Sequence, residues 1–161
     1  MFNLSLNKIL KIILLISFFA LSSAYFIEFV LGHLPCALCR IQRIPYIAAL
    51  VLISLFFFLN SRNKNILIIL AAMFFLGTIV SIYHVGIEQG FFNESFLCKF
   101  QGDSEVSTPA ELFTQLKTIS VSCKDVQITL MGFSLATFNT LLSFIITAIL
   151  IIKLKNYEKN K

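Results

Sequence analysis

Two cysteines three positions apart open an apolar run in the segment Pro35-Cys36-Ala37-Leu38-Cys39-Arg40-Ile41-Gln42-Arg43. A pair so spaced can close a small redox-active ring, and a ring that short adds little chain-entropy stabilisation. The spacing therefore points to electron transfer rather than to a structural staple. The reactive species is the thiolate, which a helix N-terminus or a neighbouring arginine favours. Arg40 and Arg43 supply the positive charge. Arg43 lies one helical turn beyond Cys39, where a fixed cation can stabilise both a thiolate and a reduced, anionic acceptor. The plainer reading is an interfacial arginine that snorkels to lipid headgroups. Pro45 either starts the helix, leaving the pair in a preceding loop, or kinks its first turns.

Cys98 and Cys123 lie far apart in the longest polar stretch. A bond between them would close a large loop and act as a structural disulfide. All four cysteines could instead form a zinc site, although structural zinc sites use two tight pairs and this second pair is wide. Exchange between the pairs is the third reading, with a thiolate of one attacking the disulfide of the other. His84 ends the third apolar run. It suits a proton shuttle, a hydrogen-bond donor to a cofactor, or a satisfied group between helices. His33 reads as a solvated loop residue.

The elements that position these groups follow from composition. Of 161 residues 58% are hydrophobic and 13% charged, with 18 Phe and no Trp, too apolar for a soluble domain of this size. Four runs, near residues 9–31, 43–59, 66–87 and 130–152, approach the roughly 20 residues that cross a bilayer. Without water to satisfy the backbone, such runs must be helices. The expected fold is all-α, a single domain over 1–161 built as a four-transmembrane-helix bundle. Ser22-Ser23-Ala24 resembles a signal-peptide cleavage site, but the apolar character continues through Leu31 and favours a retained helix.

Charge sets the orientation. Lys8, Lys11, Arg62, Lys64, Lys153, Lys155, Lys159 and Lys161 fall on one side with a single acid, Glu158. The other side carries Arg40, Arg43, Lys99, Lys117 and Lys124 among seven acids. Both termini are thus expected in the cytoplasm, with all four cysteines opposite, where disulfides persist. The net charge of +5 is a topology signal and calls for no nucleic acid. Two outer loops result, near 32–42 and 88–129. In the second, Thr108-Pro109-Ala110-Glu111 has the form of a capping box, followed by Leu112, Phe113, Leu116 and Ile119 at helical spacing. That predicts a short amphipathic helix, packed on the bundle or lying flat on the membrane.

The joint order of these motifs resembles the DsbB family of bacterial inner-membrane thiol–quinone oxidoreductases. The resemblance rests on Pro35–Cys39 with Gln42-Arg43, on Tyr83-His84-Val85-Gly86-Ile87-Glu88, and on Cys98 and Cys123. Gly132-Phe133-Ser134-Leu135 and Asn139 continue it at the start of the last helix, with Phe138 where the family often has Trp. It implies that Cys98–Cys123 accepts electrons from a soluble periplasmic DsbA-like thiol oxidase, Cys98 forming the mixed disulfide. Cys36–Cys39 would pass them to the membrane quinone pool, Cys39 facing the quinone, with ubiquinone favoured over menaquinone. Arg43 and His84 match family residues near the quinone, and no metal is implied. A paralogue dedicated to one partner, a scaffold with two structural disulfides and a metal-binding membrane protein are the alternatives.

Overall fold

The computed structural model describes residues 6–59, 64–93, 122–124, 129–130 and 132–159. Helix α1 spans Leu6–Phe29, a short α2 spans Ala37–Ile41, and α3 spans Ile44–Phe58. Helix α4 spans Lys64–Glu88 and α5 spans Leu135–Lys159. Between α4 and α5, β1 (Thr129–Leu130) pairs antiparallel with β2 (Phe133–Ser134). The fold is mostly helical, and four stretches are long and apolar enough to cross a membrane: Leu6–Phe29, Ala37–Phe58, Asn65–Glu88 and Leu135–Asn156.

The starts of two spans differ from the sequence expectation, each for a local reason. The second span begins at Ala37 rather than at 43 and is made of two pieces. Pro45 has no N–H, and its ring would clash with the carbonyl of Ile41 in a continuous helix. So α2 stops at Ile41, and α3 starts afresh with Pro45 in its first turn. The last helix begins at Leu135 rather than 130, because Thr129–Leu130 and Phe133–Ser134 pair as strands. Gly132, at φ +85°, takes the left-handed conformation that its tight turn requires. The expected loop helix around 108–119 lies outside the described residues.

Helix α4 packs most extensively along α5, and α3 bridges α1 and α4. One end of the bundle has an apolar core at helical spacing: Ile9, Leu10 and Ile13; Ala49, Ile53 and Phe56; Leu67, Leu70 and Phe74; Ile146 and Leu150. Close approach of α3 to α4 depends on Gly77, where a Cβ would lie 2.8 Å from Cγ of Pro45. Outward faces are apolar as well, with Phe18, Phe19, Phe26, Phe75, Leu141 and Phe144 all exposed. Water tolerates no apolar surface so extensive, so lipid is the solvent for which these faces are suited.

Candidate functional site

The other end of the bundle is polar inside. Here the C-terminal ends of α1 and α4, the short α2 and the start of α5 converge on a cavity of about 340 Å³. Its walls include Cys36, Cys39, Gln42, Arg43, His84 and Glu88, with Leu21, Ala24, Leu135 and Leu142 supplying apolar surface.

Cys36 occupies the N-cap of α2 in extended backbone (φ −66°, ψ 167°). Its Sγ accepts from the backbone N–H of Cys39 at 3.2 Å, the place usually taken by a serine or aspartate oxygen. Nε2 of His84 lies 3.6 Å from the same sulfur. Both Cys36 and Cys39 are free thiols, Cys36 buried and Cys39 half-buried. The Cys36 thiol is held well below the usual thiol range, at about 5. The chief cause is a hydrogen bond from the Cys39 thiol; burial opposes it, and His84 and the Cys39 N–H add to the lowering.

Cys123 is disulfide-bonded and almost wholly buried. It shares one apolar cluster with Cys36, Leu38 and Ile87, so the long loop's cysteine chemistry and the first pair meet at one place. Cys98 lies outside the described residues. A disulfide-bonded Cys123 has no thiolate to offer, which removes the four-thiolate zinc arrangement from this form of the protein. The donor atoms of Cys36, Cys39 and His84 lie within 4.8 Å of one another.

Arg43 lies at the α2–α3 junction and lines the cavity. Its guanidinium is ion-paired with Glu28 of α1 and stands 4.9 Å over the ring of Tyr25. The arginine therefore tethers α1 to the thiol-bearing segment. Spacing from Cys39 pointed to Arg43 but not to Glu28. The available signal was an acid isolated within an apolar run, which needs a partner. His33, read as a loop residue, also lines the cavity.

Several polar residues without a site role on sequence grounds, though most belong to the motifs that carry the family resemblance, complete the site. Glu88, one turn after His84, places Oε1 3.8 Å from His84 Nε2 and accepts a hydrogen bond from Ser134 through Oε2. Gln42 Nε2 lies 3.0 Å from His84 Nδ1, and Asn139 Nδ2 donates to Gln42 Oε1 at 3.0 Å. The Tyr46 hydroxyl donates to Asn139 Oδ1 at 2.6 Å. A Gln and an Asn inside apolar segments are themselves signals, because buried amides must find partners.

The arrangement brings a free thiol pair, a histidine and an ion-paired arginine around one cavity, with the oxidised Cys123 packed in the cluster that holds Cys36. No solved structure matches the chain. An uncharacterized protein, RP370, of Rickettsia prowazekii (strain Madrid E) is 30% identical over 142 residues, covering 84% of this chain and 81% of that protein. The family model described as "Disulfide bond formation protein DsbB" matches residues 7–153, nearly the whole chain and all four cysteine positions. With four helices able to span a membrane and a thiol pair at the end of the bundle, this chain belongs to the DsbB family, a multi-pass membrane thiol oxidoreductase of disulfide bond formation.

Proposed function

We propose that this protein reoxidises a soluble periplasmic DsbA-like dithiol protein and delivers the electrons to a membrane quinone. Cys98 and Cys123 form the disulfide that accepts from the partner, with Cys98 making the mixed disulfide. Cys36 and Cys39 form the pair that discharges to the quinone. The observation that carries this reading is the shared burial of Cys123 with Cys36, beside a cavity that also receives Cys39. In this setting the protein lies in the bacterial inner membrane with both termini in the cytoplasm.

The electrons balance at each exchange. The partner's two thiols become a disulfide as Cys98–Cys123 is reduced. A Cys123 thiolate then attacks Cys36 of the oxidised first pair, and Cys39 leaves as a thiolate. Cys98 next attacks Cys123, restoring the loop disulfide and releasing Cys36. The state with Cys36 and Cys39 free and Cys123 oxidised is the one ready to discharge.

The cavity suits a quinone head in both size and chemistry, since pockets of about 300–1,000 Å³ with apolar walls and a few polar groups hold such ligands. When bound, a quinone supplies a sink for two electrons and two protons, which the two thiols provide. Leu21, Ala24, Leu135 and Leu142 would pack its ring, with Arg43 and His84 at the polar edge and Cys39 the thiol facing it. Arg43, fixed by Glu28, holds positive charge where electron density accumulates. Ubiquinone is our first choice over menaquinone.

The test supplies a reduced DsbA-like protein to quinone-containing membranes and follows its thiols together with quinone absorbance. Turnover should vanish in Cys39→Ala and in Cys123→Ala. Arg43→Lys keeps the charge but loses the planar fork that pairs with Glu28, so its turnover should fall roughly tenfold, the scale of one charge-assisted hydrogen bond. Unimpaired turnover after loss of either cysteine pair overturns the relay, and a wild-type protein without turnover leaves a scaffold. Stoichiometric zinc in the purified protein would overturn the relay in favour of a metal site.

A further inference from the structure

The hydrogen bonds that end at the Cys36 sulfur run in one direction. At the far end the Tyr46 hydroxyl gives its proton to Asn139 Oδ1 at 2.6 Å. Asn139 Nδ2 then donates to Gln42 Oε1 at 3.0 Å and to Ser81 Oγ at 3.1 Å. Ser81 Oγ accepts there through a lone pair while its own proton goes to the carbonyl of Ala136 at 3.2 Å. With Gln42 Oε1 so occupied, its Nε2 faces His84 Nδ1 at 3.0 Å. A primary amide nitrogen donates and cannot accept, so Nδ1 must present a lone pair. In a neutral imidazole the proton then sits on Nε2.

Everything identified opposite that proton can accept it. Nε2 lies 3.6 Å from Cys36 Sγ and 3.8 Å from Glu88 Oε1, and the Cys123 backbone also faces the ring. Cys39 and Arg43 are the other titratable or charged cavity residues on the facing elements, with His33 at the rim. Gln42, Tyr46, Ser81 and His84 are buried and Asn139 is half-buried, so direct partners within the chain are favoured over bulk water.

We propose that Gln42 and Asn139 are positioning residues that hold His84 as its Nε2–H tautomer, making it a hydrogen-bond donor to the Cys36 sulfur and not a base that deprotonates it. The proposal deepens the relay reading and rests on it for its consequence in catalysis. When Cys98 attacks Cys123, the bond from Cys123 to Cys36 breaks and its electron pair stays on Cys36. A donor aimed at that sulfur stabilises the leaving thiolate without transferring a proton. Reversing the chain requires both amides to rotate, Ser81 to release the Ala136 carbonyl and Tyr46 to turn to Ser143, 3.2 Å away.

The test reads the proton directly, in reduced protein without quinone. Only two histidines are present, so nitrogen-labelled His gives two ring systems, and His33→Ala identifies the second. Long-range proton–nitrogen NMR should show His84 with a pyridine-type Nδ1 and a protonated Nε2 from about pH 6 to 8. Gln42→Glu places an acceptor against Nδ1 and should move a proton there, shifting both ring nitrogens. In stopped-flow exchange it should slow the release of Cys36 roughly tenfold. Gln42→Leu, which offers neither donor nor acceptor, should give a mixture of tautomers. Wild-type protein with the proton on Nδ1, or with both nitrogens protonated across that range, overturns the proposal whether or not the variants fold. Wild-type protein with the expected tautomer but no quinone-linked turnover overturns the relay and leaves the tautomer assignment standing.

Discussion

Cys36 does two things with one sulfur: it caps a helix and it carries the site's most acidic thiol. Capping uses the Cys39 N–H, and acidity comes first from the Cys39 thiol and then from His84. Because its folded pKa lies at about 5 against an ordinary 9.0, the thiolate is preferred in the folded, reduced protein. The associated stabilisation is complete above about pH 9 and is lost as pH falls through about 5. Reduced protein should therefore become less resistant to denaturant on acidification across that window, whereas Cys36→Ser should lack this component. Thiolate absorbance, titrated in parallel, should rise with a midpoint well below 9.0. A midpoint at the ordinary thiol value contradicts this assignment of the charge. At this scale the thiols, Arg43 and His84 were legible because their types and spacing are unusual in an apolar chain. The roles of Gln42, Asn139, Glu28 and Glu88 were not, because they depend on which helix faces which, and spacing within one helix is silent about that.

At the level of elements, the second span shows how one proline turns a hydrophobic run into a device. Pro45 ends α2 at Ile41, and the thiols lie on a short separate piece joined to α3 through Gln42 and Arg43. The proline ring then packs into the space left by Gly77 on α4. Gly77→Ala places a methyl group 2.8 Å from Cγ of Pro45, so α3 and α4 must separate or strain. Overpacking of this kind costs about 1–3 kcal/mol. Thermal unfolding in detergent should show that loss, and turnover should fall with it, since Gln42 on one side and His84 on the other meet across this contact. A Gly77→Ala protein as stable and active as wild type means the helices are not held at this distance. Both outcomes of Pro45 were open from sequence, a helix start or a kink, and the structure contains something of each. The hairpin before α5 was hidden because two residues per strand leave no alternation to read.

On the scale of the whole molecule, the bundle is divided along its length. One end is an apolar core, and the other holds the thiols, the amide chain and the cavity. The four spans were legible because lipid imposes length and apolarity on each helix separately, while their neighbours are set by packing that the sequence does not spell out. Helices α1 and α5 make little direct contact with each other, yet each supplies a wall of the cavity. On α1 that wall is Ala20, Leu21, Ser23, Ala24 and Ile27, one helical face on which three residues are small; on α5 it includes Leu135, Phe138 and Leu142. Under the proposed function, a lipid-borne acceptor reaches the thiols sideways between these helices, while a soluble partner works from the membrane surface. Ala24→Phe should separate the two routes, because a benzyl group there intrudes on the cavity of about 340 Å³ while both thiols are kept. Its quinone turnover should fall at least tenfold, a loss of about 1.4 kcal/mol of transition-state stabilisation, with most of the change in KM for quinone. Single-turnover exchange with the reduced dithiol partner should remain at the wild-type rate. Loss of both activities together would mean that the substitution had damaged the bundle. Unchanged quinone kinetics in a stable Ala24→Phe protein would place the acceptor's route elsewhere.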